Sequence, residues 1–276
     1  QVIKVERLDA GDDTRTWGPP FMKDDNGKDT NESAYFMAAN RGKESVCIDI
    51  TTKKGQQQIR QLAEQCDVVL ENFKVGGAAK YGLDYESLSK INPRLIYCSI
   101  TGFGQTGPYK ERPGYDFLVQ AMGGLMSVTG DQQSGPQKVG VALTDVMTGL
   151  YATVGILTAV AEREKSGLGQ HVDLALLDVT AATLANQATN YLVGDKVPTG
   201  LGNAHPNIVP YQSFATRDGH CIVAVGNDGQ FQRFCDVIGL PELALHEDYK
   251  TNKQRVINRE KLTPLLQTQL LLKDRD

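Results

Sequence analysis

The sequence predicts an α/β protein: a large parallel-sheet domain over residues 1–195, a linker over 196–210, and the start of a smaller α+β domain over 211–276. Three observations carry this. Short apolar runs alternate with helix-like stretches through the first two-thirds of the chain, the rhythm of parallel strands joined by crossover helices. Pro, Gly and Asn then crowd DKVPTGLGNAHPNIVP (195–210), the texture of a boundary. Beyond it come a hairpin pattern and two helical stretches, a different order of elements.

In chain order, VIKVE (2–6) and SVCIDI (45–50) are expected strands. KKGQQQIRQLAEQC (53–66) has helical composition, with Ile59, Leu62 and Ala63 on one face. DVVLENF (67–73) is an apolar run with a polar exit, YESLSKI (85–91) a short helix, and RLIYCSI (94–100) a further strand. RPGYDFLVQAMGGL opens a helix whose apolar face is expected to hold Phe117, Ala121 and Leu125. A long helix follows from about Asp145 to Glu164. Its first half is apolar on nearly all sides and is expected to be buried on both flanks. Gly167 and Gly169 stop it, HVDLAL (171–176) is a strand, and a second helix is expected over 177–192. YQSFATRDGHCIVAVG is a hairpin with an Asp-Gly turn, followed by GQFQRFCDVIGL and a helix around NREKLTPLLQTQLLL.

The 276 residues are 40% hydrophobic and 22% charged, with net charge -4, a pI of about 5.7 and mean hydropathy -0.33. That balance argues against a dedicated nucleic-acid binder, which usually carries a basic face. Five widely spaced cysteines without a CxxC pair argue against a disulfide framework or a zinc site. Cys47 and Cys98 lie in strand-like runs and are expected to pack as small hydrophobes in a reducing compartment. There is no run of 18 apolar residues, so no membrane-spanning helix is expected. A cytoplasmic location is expected, with a mitochondrial targeting segment left open. Gln1 starts inside a strand and the chain stops at Asp276 after a helix, so both termini are expected to be truncated.

GFGQTG (102–107) follows a strand and matches GxGxxG, the signature of a dinucleotide-binding turn. Pro108 and Pro113 prevent a long helix from opening there, and no acidic residue ends a strand about 20 residues later. A turn-rich loop is the simpler reading. His171, His205, His220 and His246 are far apart, which indicates no metal site, and no Ser–His pairing or GxSxG stands out. Asp145, in VALTDVMTGLY, reads first as a helix-capping or first-turn acid; the same physics also allows a carboxylate nucleophile held ionised and oriented by a buried helix N-terminus, and both readings can hold at once. Gly140, Ala142, Thr148 and Gly149 leave room beside it for a ligand. In parallel sheets the site lies past the carboxyl ends of the strands, which directs attention to Arg7, the segment after Ile48, Asn72 and Phe73, and the loop after Ile100.

Taken in order, VIKVER with GDDTR, NRGKESVCIDI, DVVLENF, INPRLIYCSITGFGQTGPY, RPGYDFLVQAMGGLMSVTG, VGVALTDVMTGLYA, GQHVDLALLD and GNAHPNIVPYQSF resemble the signature segments of family III (CaiB/BaiF-type) CoA-transferases. The resemblance covers nearly the whole chain. It implies a Rossmann-like large domain, a smaller domain and an interlocked homodimer. It implies an enzyme that moves CoA between carboxylic acids, with acyl-CoA as substrate, no prosthetic group, and no nucleic-acid or membrane partner. Asp145 would be the nucleophile, forming an aspartyl anhydride and then an aspartyl-CoA thioester. Arg7, Ile48, Asp49, Ile50, Thr51, Asn72, Phe73, Lys74 and Lys80 would line the CoA channel, with Gly114, Tyr115 and Asp116 near the thioester end. Lys80 stands where the family often has arginine and lacks its bidentate fork. LGNAHPNIVPYQSF is closer to the succinyl-CoA-using dicarboxylate branch than to the glycine-rich formyl-CoA branch. The alternatives are an α-methylacyl-CoA racemase-like isomerase, which Tyr115 in place of a histidine base disfavours, and a catalytically silent CoA-binding fragment. The resemblance also implies that a first strand and helix of the large domain, and its closing segment, are missing.

Overall fold

The computed structural model describes residues 1–275. The chain divides into two compact units, one made of Gln1–Gly114 with Thr148–Leu176, the other of Tyr115–Met147 with the chain from Leu177 on.

In the first unit, β1 (Ile3–Glu6) is followed by an antiparallel hairpin of β2 (Phe21–Lys23) and β3 (Asp29–Ser33). This hairpin and the helix α1 (Ala34–Asn40) after it were not expected from the sequence. Ser33 caps α1, its Oγ accepting from Phe36 N at 3.0 Å. β4 (Glu44–Cys47) returns parallel to β1. It ends three residues before the expected Ile50. The reason is Asp49, whose carboxylate accepts from Thr51 N (2.9 Å) and Thr51 Oγ1 (2.6 Å) and turns the chain out of the strand. Cys47 is exposed there, not packed as expected, whereas Cys98 is buried and its thiol is pushed up to about 11. α2 (Lys53–Gln65) starts at once, capped by Thr52 on Gly55 N (3.0 Å).

β5 (Val68–Glu71), β6 (Ile96–Thr101) and β7 (His171–Ala175) form a three-stranded parallel sheet with β6 central. A central strand is covered on both faces and therefore reads as a continuous apolar run; Ile96, Tyr97 and Cys98 are all buried. Tyr97 packs with Ala63 of α2, Leu83, Leu88 of α3 (Tyr85–Leu88) and Leu95 in the core of this unit. The expected alternation of strand and helix is thus observed, divided between two separate parallel ladders.

α4 (Asp116–Met122) and α5 (Leu143–Ser166) follow in sequence, and the boundary between the units falls within α5. In the first unit, a Cβ on Gly155 of α5 would stand 3.0 Å from Val172 Cγ1, so the helix lies close on β7. Arg163 fixes its last turn by donating to Arg94 O (3.2 Å) and Asp67 Oδ1 (3.0 Å). Gly167, at φ +77°, ends the helix with its N–H on Arg163 O (2.8 Å). The expectation that α5 is buried on both flanks does not hold for this chain alone. Ala152 and Ala159 face inward, while Leu150, Val154 and Leu157 are 56–64% exposed. By length and composition α5 is apolar enough to cross a membrane, with a mean hydropathy of 1.4 over its best window. It contains no unbroken apolar run because Asp145 and several Thr and Gly residues interrupt it.

In the second unit the helix expected over 177–192 is two helices, α6 (Leu176–Thr183) and α7 (Asn186–Gly194), broken at Ala185, which sits at φ +47°. Residues 195–210 form no helix or strand but are tied down. Asn190 and Asn207 exchange side-chain hydrogen bonds, Asn252 Nδ2 donates to Asn207 O, and Arg259 Nη2 donates to His205 O and Pro206 O. β8 (Tyr211–Thr216) and β9 (Gly219–Ala224) are the expected hairpin, although the two turn residues are Arg217 and Asp218, since Gly219 already pairs with Thr216. α8 (Asp228–Ile238), α9 (Pro241–Leu245), α10 (Asn252–Ile257) and α11 (Arg259–Leu270) complete it. Phe214, Phe231, Cys235, Leu262 and Leu266 form its core.

Candidate active site

Most of the expected site residues of the first unit follow the carboxyl ends of parallel strands. Arg7 follows β1, Ile48–Thr51 follow β4, Asn72–Lys74 follow β5, and the GFGQTG loop follows β6. Arg7 is exposed and its guanidinium is paired with Asp13. The stronger charge network on β1 belongs to Glu6, which sequence reasoning missed. Arg15 grips both Glu6 carboxylate oxygens at 2.9 Å, and Ser45 Oγ (2.7 Å) and Asp12 N (2.9 Å) add two more donors. The Arg15 guanidinium, with these donors, holds the Glu6 carboxyl down at about 2 against the cost of burial. The cleft beside it carries Lys4, Arg15, Arg41 and Lys43 against Glu6 and Glu32.

Ile48 is buried and Asp49 is committed to the turn described above. Asn72 Nδ2 donates to Ile100 O, joining the ends of β5 and β6, and Phe73 and Lys74 are exposed. Lys80 is exposed with its ammonium 5.6 Å from the Tyr81 ring centroid. In the GFGQTG loop, Gln105 N donates to Asp173 Oδ2 (3.0 Å), and a Cβ on Gly102 would come within 2.5 Å of Gly114 Cα. Gly102 serves backbone-to-backbone contact, Gly104 and Gly107 turn the loop at φ +83° and +89°, and no helix opens after them.

Ser99 Oγ and His171 Nε2 are 2.9 Å apart, a pairing the sequence did not suggest. It offers no exposed nucleophile, because Ser99 is buried and its hydroxyl is spent on the histidine. Among the described residues, no group of three or more His, Cys, Asp or Glu side chains is placed to hold a metal ion.

The second unit holds Asp145 in the first turn of α5. The residues just before the helix, Gly140-Val141-Ala142, offer no capping side chain. The cap comes instead from Asp116, at the start of α4. Its Oδ1 accepts from Thr144 N at 2.8 Å and from Asp145 N at 3.4 Å. Because these leading amides are given to Asp116, the Asp145 carboxylate accepts no hydrogen bond among the described residues. Asp145 is exposed in this chain, yet the protein packed around its carboxyl raises it above the usual carboxylate range, first by desolvation and then through the Asp116 charge. Against the expectation of a buried helix N-terminus orienting this carboxylate, Asp145 is exposed and the leading amides of α5 serve Asp116 instead. Gly140 and Gly149 have open space where a Cβ would stand. Tyr115 is 72% exposed, and so is Phe117 at 58%. The inward face of α4 is Val119 and Gln120, not the expected Phe117 and Ala121. An apolar-face pattern alone does not anticipate a buried glutamine on the inward side.

Asp116→Asn is expected to lower the Asp145 pKa by removing a neighbouring like charge while keeping an acceptor for Thr144 N. In a titration followed by the Asp145 carboxyl carbon resonance, the midpoint should move to lower pH; an unmoved midpoint contradicts the coupling.

Residues 1–276 match the family model described as CoA-transferase family III. The chain belongs to CoA-transferase family III. It is 52% identical over 98% of its length to a succinate–glutarate CoA-transferase of Agrobacterium fabrum, of which it spans 67%. It is 46% identical over 96% of its length to the human succinyl-CoA:glutarate CoA-transferase, of which it spans 59%. Among solved structures it is similar to a CaiB/BaiF family protein from Brucella suis, at 54% identity and a TM-score of 0.82, covering 100% of this chain and 72% of that one. The α/β fold with parallel sheets is therefore that of the family.

Proposed function

We propose that the protein is a CoA-transferase that passes CoA from a dicarboxylyl-CoA donor, succinyl-CoA, to a carboxylic acid acceptor through covalent intermediates on Asp145. The observation that carries this is an unengaged carboxylate with a raised pKa at a site with open space, on a chain of this family. An elevated pKa makes a carboxylate a better nucleophile once ionised. Asp145 Oδ attacks the donor thioester carbonyl, the C–S bond breaks, and CoA leaves as thiolate. The thiolate attacks the aspartyl carbonyl of the resulting anhydride, which expels the donor acid as carboxylate and leaves an aspartyl-CoA thioester. The acceptor carboxylate then displaces the thiolate, forming a second anhydride. Attack of the thiolate on the acceptor's carbonyl gives the new acyl-CoA and restores Asp145. No proton or electron is gained or lost overall.

In this reading Arg7, Lys74 and Lys80 supply cations for the CoA phosphates, and Ile48–Thr51, Asn72 and Phe73 line its path. A second copy of the chain covers the exposed apolar residues of α5, Leu150, Val154 and Leu157, without a membrane or nucleic acid. Glutarate is the leading acceptor because both named relatives carry it in their names. A panel of acids with succinyl-CoA as donor tests this: glutarate or another dicarboxylate should form its CoA thioester, and silence from every dicarboxylate overturns the substrate assignment. Deuterium entering the α-carbon of an acyl-CoA with no acceptor present would favour isomerisation instead.

A further inference from the structure

Gln120 is fully buried on α4. A buried amide is costly unless its donors and acceptor are satisfied, and an apolar side chain would fill the same space more cheaply. Here Nε2 donates to Asp116 Oδ2 at 2.7 Å and Oε1 accepts from Val139 N at 2.9 Å. Only this orientation of the amide suits both partners, since the opposite one faces a donor with a donor. Asp116 Oδ1 in turn accepts from the amides of Thr144 and Asp145. A continuous chain of hydrogen bonds therefore runs from the backbone at Val139, through two side chains of α4, to the backbone of the proposed nucleophile. A local cap would have served α5 alone. This imported cap joins the first turn of α5 to α4 and leaves the Asp145 carboxylate out of the capping.

We infer that Gln120 is a positioning residue for Asp145, acting through Asp116 to fix the first turn of α5 in the geometry of attack. The inference rests on Asp145 being the nucleophile of the proposed transfer.

The test compares Gln120→Met and Gln120→Glu with the wild type. It reads the single-turnover rate of adduct formation on the Asp145 peptide, taken as a ratio to wild type at each pH, together with CoA affinity. Gln120→Met removes the donor to Asp116, and adduct formation should slow by about tenfold or more with CoA affinity unchanged. Gln120→Glu has a distinctive signature. Two carboxyls in contact share a proton, so at low pH the introduced carboxylic acid donates to Asp116 and still accepts from Val139 N, and the rate should approach wild type. As pH rises and the shared proton leaves, it should fall to the level of the methionine variant. A purely structural role would change stability without this pH-dependent rescue. A wild-type rate in the methionine variant overturns the inference, as does a folded glutamate variant that is equally slow at every pH. If the methionine variant does not fold, the glutamate variant carries the test. If the wild type itself forms no adduct, the Asp145 reading has failed first, and that outcome is distinct from both.

Discussion

Asp145→Ala is expected to reduce CoA transfer by at least about 10⁴-fold, because the proposed mechanism carries the acyl and CoA moieties covalently on Asp145 alone. CoA affinity should survive, since the residues proposed to bind CoA in the first unit are untouched. Stability should survive too. The folded carboxyl has the raised pKa, so the folded state holds its proton more tightly than the unfolded chain does. Stability therefore falls as pH rises from the ordinary carboxylate pKa through the folded one, and stays lower above it. Alanine removes that cost, so the variant should be at least as stable as wild type at neutral pH, while its inward-facing neighbours Thr144 and Thr148 remain in place. Loss of transfer in a protein of undiminished melting temperature would separate the chemical role of Asp145 from a capping role. Retained transfer would return Asp145 to the ordinary role of a first-turn acid.

Arg255→Met should be the most damaging substitution for the second unit. Arg255 has no exposed surface. Its Nε donates to Val209 O (2.7 Å), Nη1 to Tyr249 O (2.9 Å) and Nη2 to Asp228 Oδ1 (2.9 Å), and its guanidinium lies 4.3 Å from the Phe231 ring centroid. One side chain thus joins the irregular 195–210 segment, the loop before α10, and α8. Methionine fills part of the volume but leaves two inward carbonyls without donors, each worth about 1–3 kcal/mol. Asp228 is half-exposed, keeps the Asn252 amide at 2.9 Å, and can rehydrate. The expected loss is about 3 kcal/mol or more, a fall in melting temperature of roughly 10 °C. Arg255→Lys should recover little, because an ammonium cannot span three divergent acceptors. A melting temperature within about 2 °C of wild type in the methionine variant would contradict this account.

What was legible in the sequence follows the range of the interactions involved. β6 showed itself because the run it belongs to, RLIYCSI, is largely apolar, as a central parallel strand is, and α2 because its helical composition and apolar face are local. The β2–β3 hairpin was invisible: its strands are only three and five residues long, and neither carries a run of alternating apolar and polar residues. The break at Ala185 was missed because nothing local forbids a helix there. Asp145 was found by its sequence surroundings, but its environment was misread. The residue that caps its helix, Asp116, lies 29 positions earlier, and no spacing rule links a cap to a helix it does not precede. Gln120 was missed for the same reason: four residues after Asp116 on one helix, it reads as a surface amide, and only its burial shows otherwise. Arg255 likewise passes for a solvent-facing helical arginine until the loop carbonyls close over it.

In the proposed reaction Asp145 carries the acyl and CoA groups covalently. The most direct measurement is intact mass with peptide mapping after the protein is mixed with succinyl-CoA, without acceptor, and quenched. The account predicts a CoA or succinyl adduct on the peptide that contains Asp145, absent in Asp145→Ala and discharged when glutarate is added. A folded, CoA-binding protein that carries no adduct on that peptide would contradict it.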